Sequence, residues 1–189
     1  MAGSDESLVA QSLRGDTEAF AELVSRYTGP IFNLAFRLTS DRAEAENVTQ
    51  EAFLRAYTAL PRSRTELAFK PWLFQIAVNL CRDLARKKRP TAFAEMPSDE
   101  EAALEDGIED DSPLPLDQVE THELGRALAQ AVAALPEVYR AVVALRYTEE
   151  LAYEDIAAVL KLPVNTVRTH LFRAKAMLRK TLAEWEPEG

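Results

Sequence analysis

The chain has 189 residues and 47% hydrophobic content, enough for one ordinary domain or two small ones, and no apolar run approaches the roughly 20 residues of a membrane span. The opening MAGSDESLVAQ lacks the basic start and apolar centre of a signal peptide, so a soluble, intracellular (cytoplasmic) protein is expected. The single cysteine, Cys81, permits no intrachain disulfide and reads as a small buried hydrophobe; with His122 and His170 it forms no metal-ligand spacing, so neither metal nor cofactor is expected.

A net charge of −9 speaks against nucleic acid only until it is divided along the chain. Residues 90–120 hold eleven Asp or Glu and no Lys or Arg, and subtracting those eleven leaves +2 for everything else. Residues 61–89 carry eight bases and two acids, and residues 163–180 carry five bases and no acid. Two basic islands therefore flank one acidic segment. Screening limits each charge to about 8–10 Å, so this local pattern says more about partners than the whole-chain sum.

In chain order, Leu8, Val9, Ser12 and Leu13 start a short helix, and Gly15 with Asp16 reads as a stop followed by a new N-cap. Phe20, Leu23, Val24 and Tyr27 continue at helical spacing until Thr28, Gly29 and Pro30, where a bend or restart is expected before a further helix over 31–38. Asp41 and Glu44 have capping-box spacing and predict a helix over about 42–60, with Ala45, Val48, Ala52, Phe53, Ala56, Tyr57 and Leu60 on one face. Pro61 ends it in a basic loop. Pro71 opens the next helix, whose inner side is Trp72, Leu73, Ile76, Ala77, Leu80 and Leu84 and whose end is Arg86, Lys87, Lys88 and Arg89.

Those four cations have two readings. They complement the negative end of the helix dipole, or, beside Trp72, Phe74, Gln75 and Asn79, they hold the backbone of single-stranded DNA whose bases stack on the aromatics or bond to the amides. Residues 90–120, with four prolines, read as an acidic linker. Helical spacing resumes at Leu124, Leu128, Val132 and Leu135, and after Pro136 at Val138, Val142, Val143 and Leu145. No strand alternation competes. The expected fold is all-α: two small helical domains, 1–89 and 121–189, joined by the linker at 90–120.

The stretch 153–180 carries the sharpest pattern. Ile156, Ala157 and Leu160 give one apolar face, Pro163 breaks the helix, and Asn165 is placed to cap a second helix from about Thr166. Its inward stripe is Val167, Leu171, Ala174 and Leu178, leaving Arg168, Thr169, His170, Phe172, Arg173 and Lys175 on the surface. Two helices with a tight corner, the second one basic, form the helix-turn-helix pattern that places its second helix in the major groove.

With these residues in view, the chain resembles the extracytoplasmic-function (ECF) sigma factors of bacterial RNA polymerase over nearly its whole length. AENVTQEAFLRAY resembles the family's polymerase-binding helix, FKPWLFQIAVNLCRDLARKKR its promoter-melting helix, and LPEVYRAVVALRYTEELAYEDIAAVLKLPVNTVRTHLFRAKAMLRK its upstream-promoter module. The resemblance implies an alternative sigma factor, not an enzyme and with no catalytic residue. Its partners are then core RNA polymerase and promoter DNA, both duplex and melted non-template strand, with an anti-sigma factor as a family expectation.

Carried over residue by residue, Arg168, Thr169, Phe172 and Arg173 match contacts to the −35 element, and His170 stands where a basic residue is common. Asn79 matches an amide at the pocket for a flipped −10 base, with Ser63, Arg64, Thr65 and Glu66 as its other wall, while Gln50 and Glu51, with Asn47 alongside, match the surface that docks on polymerase. The chain departs from the family at three places. Asn47 replaces the usual Asp, the loop SRTEL replaces a Phe-Arg-Gly-Asp type of sequence, and Lys161 stands where the corner often has Gly. A lysine held at positive φ there would be strained by about 1 kcal/mol.

A stand-alone repressor would share the corner but needs neither AENVTQEAF nor WLFQIAVN. A helical adaptor that binds only protein would not need two basic islands. An enzyme would need a glycine-rich phosphate loop, a metal cluster or an activated nucleophile, none of which the sequence offers.

Overall fold

The computed structural model describes residues 3–62, 67–88 and 122–183. Among them are eight α-helices and no strand: α1 (Asp5–Leu13), α2 (Thr17–Thr39), α3 (Arg42–Ala59), α4 (Phe69–Lys88), α5 (His122–Ala134), α6 (Glu137–Val143), α7 (Tyr153–Leu160) and α8 (Val164–Ala183). A 3₁₀ turn at Leu60–Arg62 follows α3, and a π turn at Ala144–Thr148 follows α6. The acidic linker and the loop Ser63, Arg64, Thr65 and Glu66 lie outside the described residues. The described chain divides into two compact units, α1–α4 with residues 154–161, and α5, α6, the π turn, residues up to 153 and α8.

In the first unit the helix starts follow from their caps. Ser4 accepts from the Ser7 N–H at 3.3 Å, Asp16 Oδ1 from those of Glu18 and Ala19 at 3.0 and 3.2 Å, and Asp41 Oδ1 from that of Glu44 at 3.0 Å. Gly15, at φ 95°, makes the reversal between α1 and α2 that a residue with a Cβ resists.

The expected break at Pro30 is absent: α2 runs unbroken for 23 residues with Pro30 inside it. Its buried stripe, Phe20, Leu23, Tyr27, Ile31, Leu34 and Ala35, passes straight through that point, so a break would pull half of it out of register with the core. Each fully buried aliphatic side chain contributes about 1.5–3 kcal/mol, and several together outweigh the roughly 3 kcal/mol that an interior proline costs.

α2 packs on α3 and α4, and α1 on α2 and α4. The core is Leu23, Ile31, Leu34, Ala45, Val48, Ala52, Phe53, Leu73, Phe74, Ala77 and Val78, with Cys81 buried beside them as a small hydrophobe. One member of the expected inner face lies elsewhere: Tyr57 is 52% exposed and only meets the edge of Phe20. Thr49, which that face did not include, is buried with its hydroxyl bonded back to Ala45 O at 2.7 Å.

In the second unit, α5 and α6 pack on α8. Leu128 and Val132 of α5, Leu135 just after it, Val142 and Leu145, and Val167, Leu171, Ala174 and Leu178 of α8 are all buried, the last four being the whole inward stripe expected for the last helix. Tyr139 takes the interior place expected for Val138. α8 begins at Val164, two residues before the expected start, with the Val167 N–H bonded to Pro163 O. Asn165 is thus inside the first turn, and its carbonyl accepts from Thr169 Oγ1 at 3.0 Å instead of its side chain capping the helix.

Candidate nucleic-acid and polymerase interfaces

Around the axis of α8, at about 100° per residue, the core stripe of Val167, Leu171, Ala174 and Leu178 occupies one narrow arc. Arg168, Phe172, Thr169 and Arg173 follow one another across the opposite arc. Phe172 is exposed, and Arg168, Thr169 and Arg173 are half-buried.

His170 and Lys175 fall at the two edges of the core stripe rather than on the outward arc. The His170 ring meets Tyr139 edge-on at 5.3 Å between centroids. Lys175 is 2% exposed with Nζ 5.8 Å from the Tyr147 ring centre, which corrects its expected surface position: one step from Leu171 and Leu178 on the helical wheel, its stem packs inward. The Arg168 guanidinium lies 5.7 Å from the ring centre of Tyr153. The corner residue Lys161 adopts φ 57°, the left-handed conformation that its replacement of glycine raised as a question.

On α3, Asn47 and Gln50 are exposed and Glu51 half-exposed, on the side away from Ala45, Val48 and Ala52. Glu51 Oε1 holds Arg55 Nε at 2.7 Å. Sequence reasoning missed Leu54, which completes the spacing 47, 50, 51, 54 on that face and is 61% exposed. Its signal was visible: an apolar residue in phase with the polar face and out of phase with the core stripe.

On α4, Asn79 is half-buried, whereas Trp72 is 9% exposed and set against Phe69, with 6.0 Å between ring centres. Phe74 is fully enclosed, so both rings serve the core and neither offers the open stacking platform expected of them. An open groove of about 270 Å³ along α4 is lined by Leu80, Asp83, Leu84, Arg86 and Lys87 with Arg55 of α3. Among the described residues no cluster of three or more His, Cys, Asp or Glu is arranged to hold a metal, and no helix is long and apolar enough to cross a membrane.

One unit presents an exposed amide-carboxylate-leucine face on α3, and the other ends in a basic helix that follows a tight corner, the arrangement of the helix-turn-helix class. Residues 23–91 match the family described as Sigma-70 region 2, and residues 125–178 match Sigma-70, region 4. The ECF RNA polymerase sigma factor SigW of Bacillus subtilis is 37% identical over 93% of this chain and 95% of its own length. The RNA polymerase sigma-H factor of Pseudomonas aeruginosa is 38% identical over 94% and 93%, and the ECF RNA polymerase sigma-E factor of Escherichia coli K12 35% identical over 91% of each. Among solved structures, CnrH in complex with the cytosolic domain of CnrY aligns with a TM-score of 0.70 and 27% identity, over 97% of this chain and all of that one. The chain belongs to the ECF sigma factor family of bacterial RNA polymerase, and its function is that of an alternative sigma factor in transcription initiation.

Proposed function

We propose that the two exposed faces divide the work of initiation between them, α3 holding core polymerase and α8 selecting the upstream promoter element. The supporting observation is the arc of Arg168, Thr169, Phe172 and Arg173, presented opposite a continuous core stripe on a helix that follows a three-residue corner. Arginines on such a face attract the duplex by releasing counterions, and their paired N–H groups recognise guanine edges. On α3, Asn47, Gln50 and Glu51 supply hydrogen-bonding groups around Leu54, an apolar anchor ringed by polar side chains, which is the usual anatomy of a protein-protein contact.

In this reading Asn79 of α4 receives one extruded base of the downstream element, offsetting part of the roughly 1.4 kcal/mol of stacking lost per melted step. The basic end of α4 steadies the strand backbone. Nucleotidyl transfer belongs to polymerase, the protein itself is not an enzyme, and it acts in the cytoplasm where polymerase and promoters are. An anti-sigma protein is the expected regulator. Support comes from the 27%-identical CnrH, a chain solved together with a cytosolic protein domain.

The test separates the two faces. Arg173→Ala should reduce transcription from a matched promoter about tenfold, a cost of about 1–3 kcal/mol for a lost base contact, with core binding unchanged. Glu51→Lys should weaken core binding and leave promoter preference intact in the holoenzyme that still forms. Equal loss of core binding in both variants would contradict this division.

A further inference from the structure

Tyr153 sits beside two cations. The guanidinium carbon of Arg146 lies 4.9 Å from its ring centre and that of Arg168 5.7 Å, both within the range of an attractive cation-π contact. Arg146 is itself anchored: Nη1 donates to Leu151 O at 3.0 Å, tying the π turn to the segment that leads into Tyr153. Arg168 Nε is buried and has no hydrogen-bond partner among the described residues, so no acceptor at that atom fixes the side chain.

We propose that Tyr153, steadied by Arg146, is a positioning residue that holds the Arg168 guanidinium ready for duplex DNA and thereby sets discrimination at the upstream promoter element. The proposal deepens the assignment of α8 as the upstream reader and rests on it. Arginine carries large rotamer entropy, and a guanidinium already resting on an aromatic face loses less of it on binding. A ring face takes the charge without consuming N–H donors. The in-plane fork stays available for guanine O6 and N7 or for a phosphate.

His170 and Lys175 also touch tyrosines, but both lie at the edges of the core stripe, and Lys175 is enclosed. Arg168 is the member of this set that shares the outward arc with Thr169, Phe172 and Arg173, so Tyr153 is the ring whose loss should register in sequence preference rather than only in stability.

The experiment uses the full chain assembled with bacterial core polymerase, on a promoter selected from a random library by the wild-type holoenzyme. The readout is the ratio of open complexes formed on that promoter to those on a copy with its upstream element scrambled. Tyr153→Leu should lower the ratio roughly three- to fivefold, as expected for one cation-π contact, with core binding unchanged; Tyr153→Phe, which keeps the ring face, should preserve it. In an Arg168→Ala background, Tyr153→Leu should cost nothing further. The same loss in that background, or a loss in Tyr153→Phe as large as in Tyr153→Leu, overturns the proposal. An Arg168→Ala variant with an undiminished ratio overturns the assignment of Arg168 itself, a separate failure that removes the proposal with it.

Discussion

Lys88 Nζ lies 2.7 Å from Glu44 Oε1, joining the last turn of α4 to the first turn of α3. Glu44 stands where a reciprocal capping box would fold its carboxylate back onto the Asp41 N–H, but that N–H is bonded to Thr39 Oγ1 at 3.3 Å. The carboxylate is therefore available to a cation from another helix. The basic end of α4 thus has a structural role for at least one of its lysines, alongside any role toward DNA.

The bond raises the Lys88 pKa above the ordinary lysine value, chiefly through the hydrogen bond to Glu44, with burial opposing and the Glu44 charge assisting. Glu44→Gln should move the Lys88 titration downward. NMR of the lysine side chain followed through the alkaline range reads this directly, and an unmoved titration would mean that the pair is not formed in solution.

Asp5 of α1 accepts from both Tyr27 Oη and Arg26 Nη1 of α2. Burial first, and the Asp5 bond second, raise the Tyr27 pKa well above 10.0. A group whose folded pKa is raised contributes stability that is whole below its unfolded value and is lost as pH climbs toward the folded one. Urea unfolding should therefore show a tyrosine-linked decline above about pH 10. Tyr27→Phe should flatten that decline and cost about 1.5–3 kcal/mol at pH 7, the worth of a hydrogen bond to a charged acceptor. A wild-type and a Phe variant with parallel alkaline profiles would refute the linkage.

Lys161 holds φ 57° at the corner before α8, where a Cβ crowds the carbonyl oxygen. Lys161→Gly should stabilise the protein by about 1 kcal/mol in denaturant unfolding, because glycine reaches this conformation without that crowding. A lower midpoint for the glycine variant would show that the lysine side chain contributes more than the backbone strain costs.

Much of this was legible in the chain itself, for identifiable reasons. The stripe of Val167, Leu171, Ala174 and Leu178 and the caps at Asp16 and Asp41 depend on neighbours within a turn or two, and all appear in the fold. What was misread depends on partners distant in sequence. Pro30 predicts a break locally, yet the stripe on both sides of it is buried against α3 and α4, and packing prevails. Spacing gave Lys175 to the surface, but it borders the core stripe, and the Tyr147 ring receives its ammonium. Trp72 and Phe74 look like base-stacking groups beside a basic run until their enclosure is seen. Leu54 is apolar but lies on the face opposite the core stripe, where helical spacing alone gives it no partner within the fold.

Whether this chain directs polymerase to promoters is read by run-off transcription. Bacterial core polymerase is incubated with a promoter library, with and without the full chain. Discrete transcripts should appear only when the protein is present and should share a common pair of upstream and downstream elements. The same transcripts from core polymerase alone, or tight operator binding by the free protein with no association with core polymerase, would contradict the sigma role.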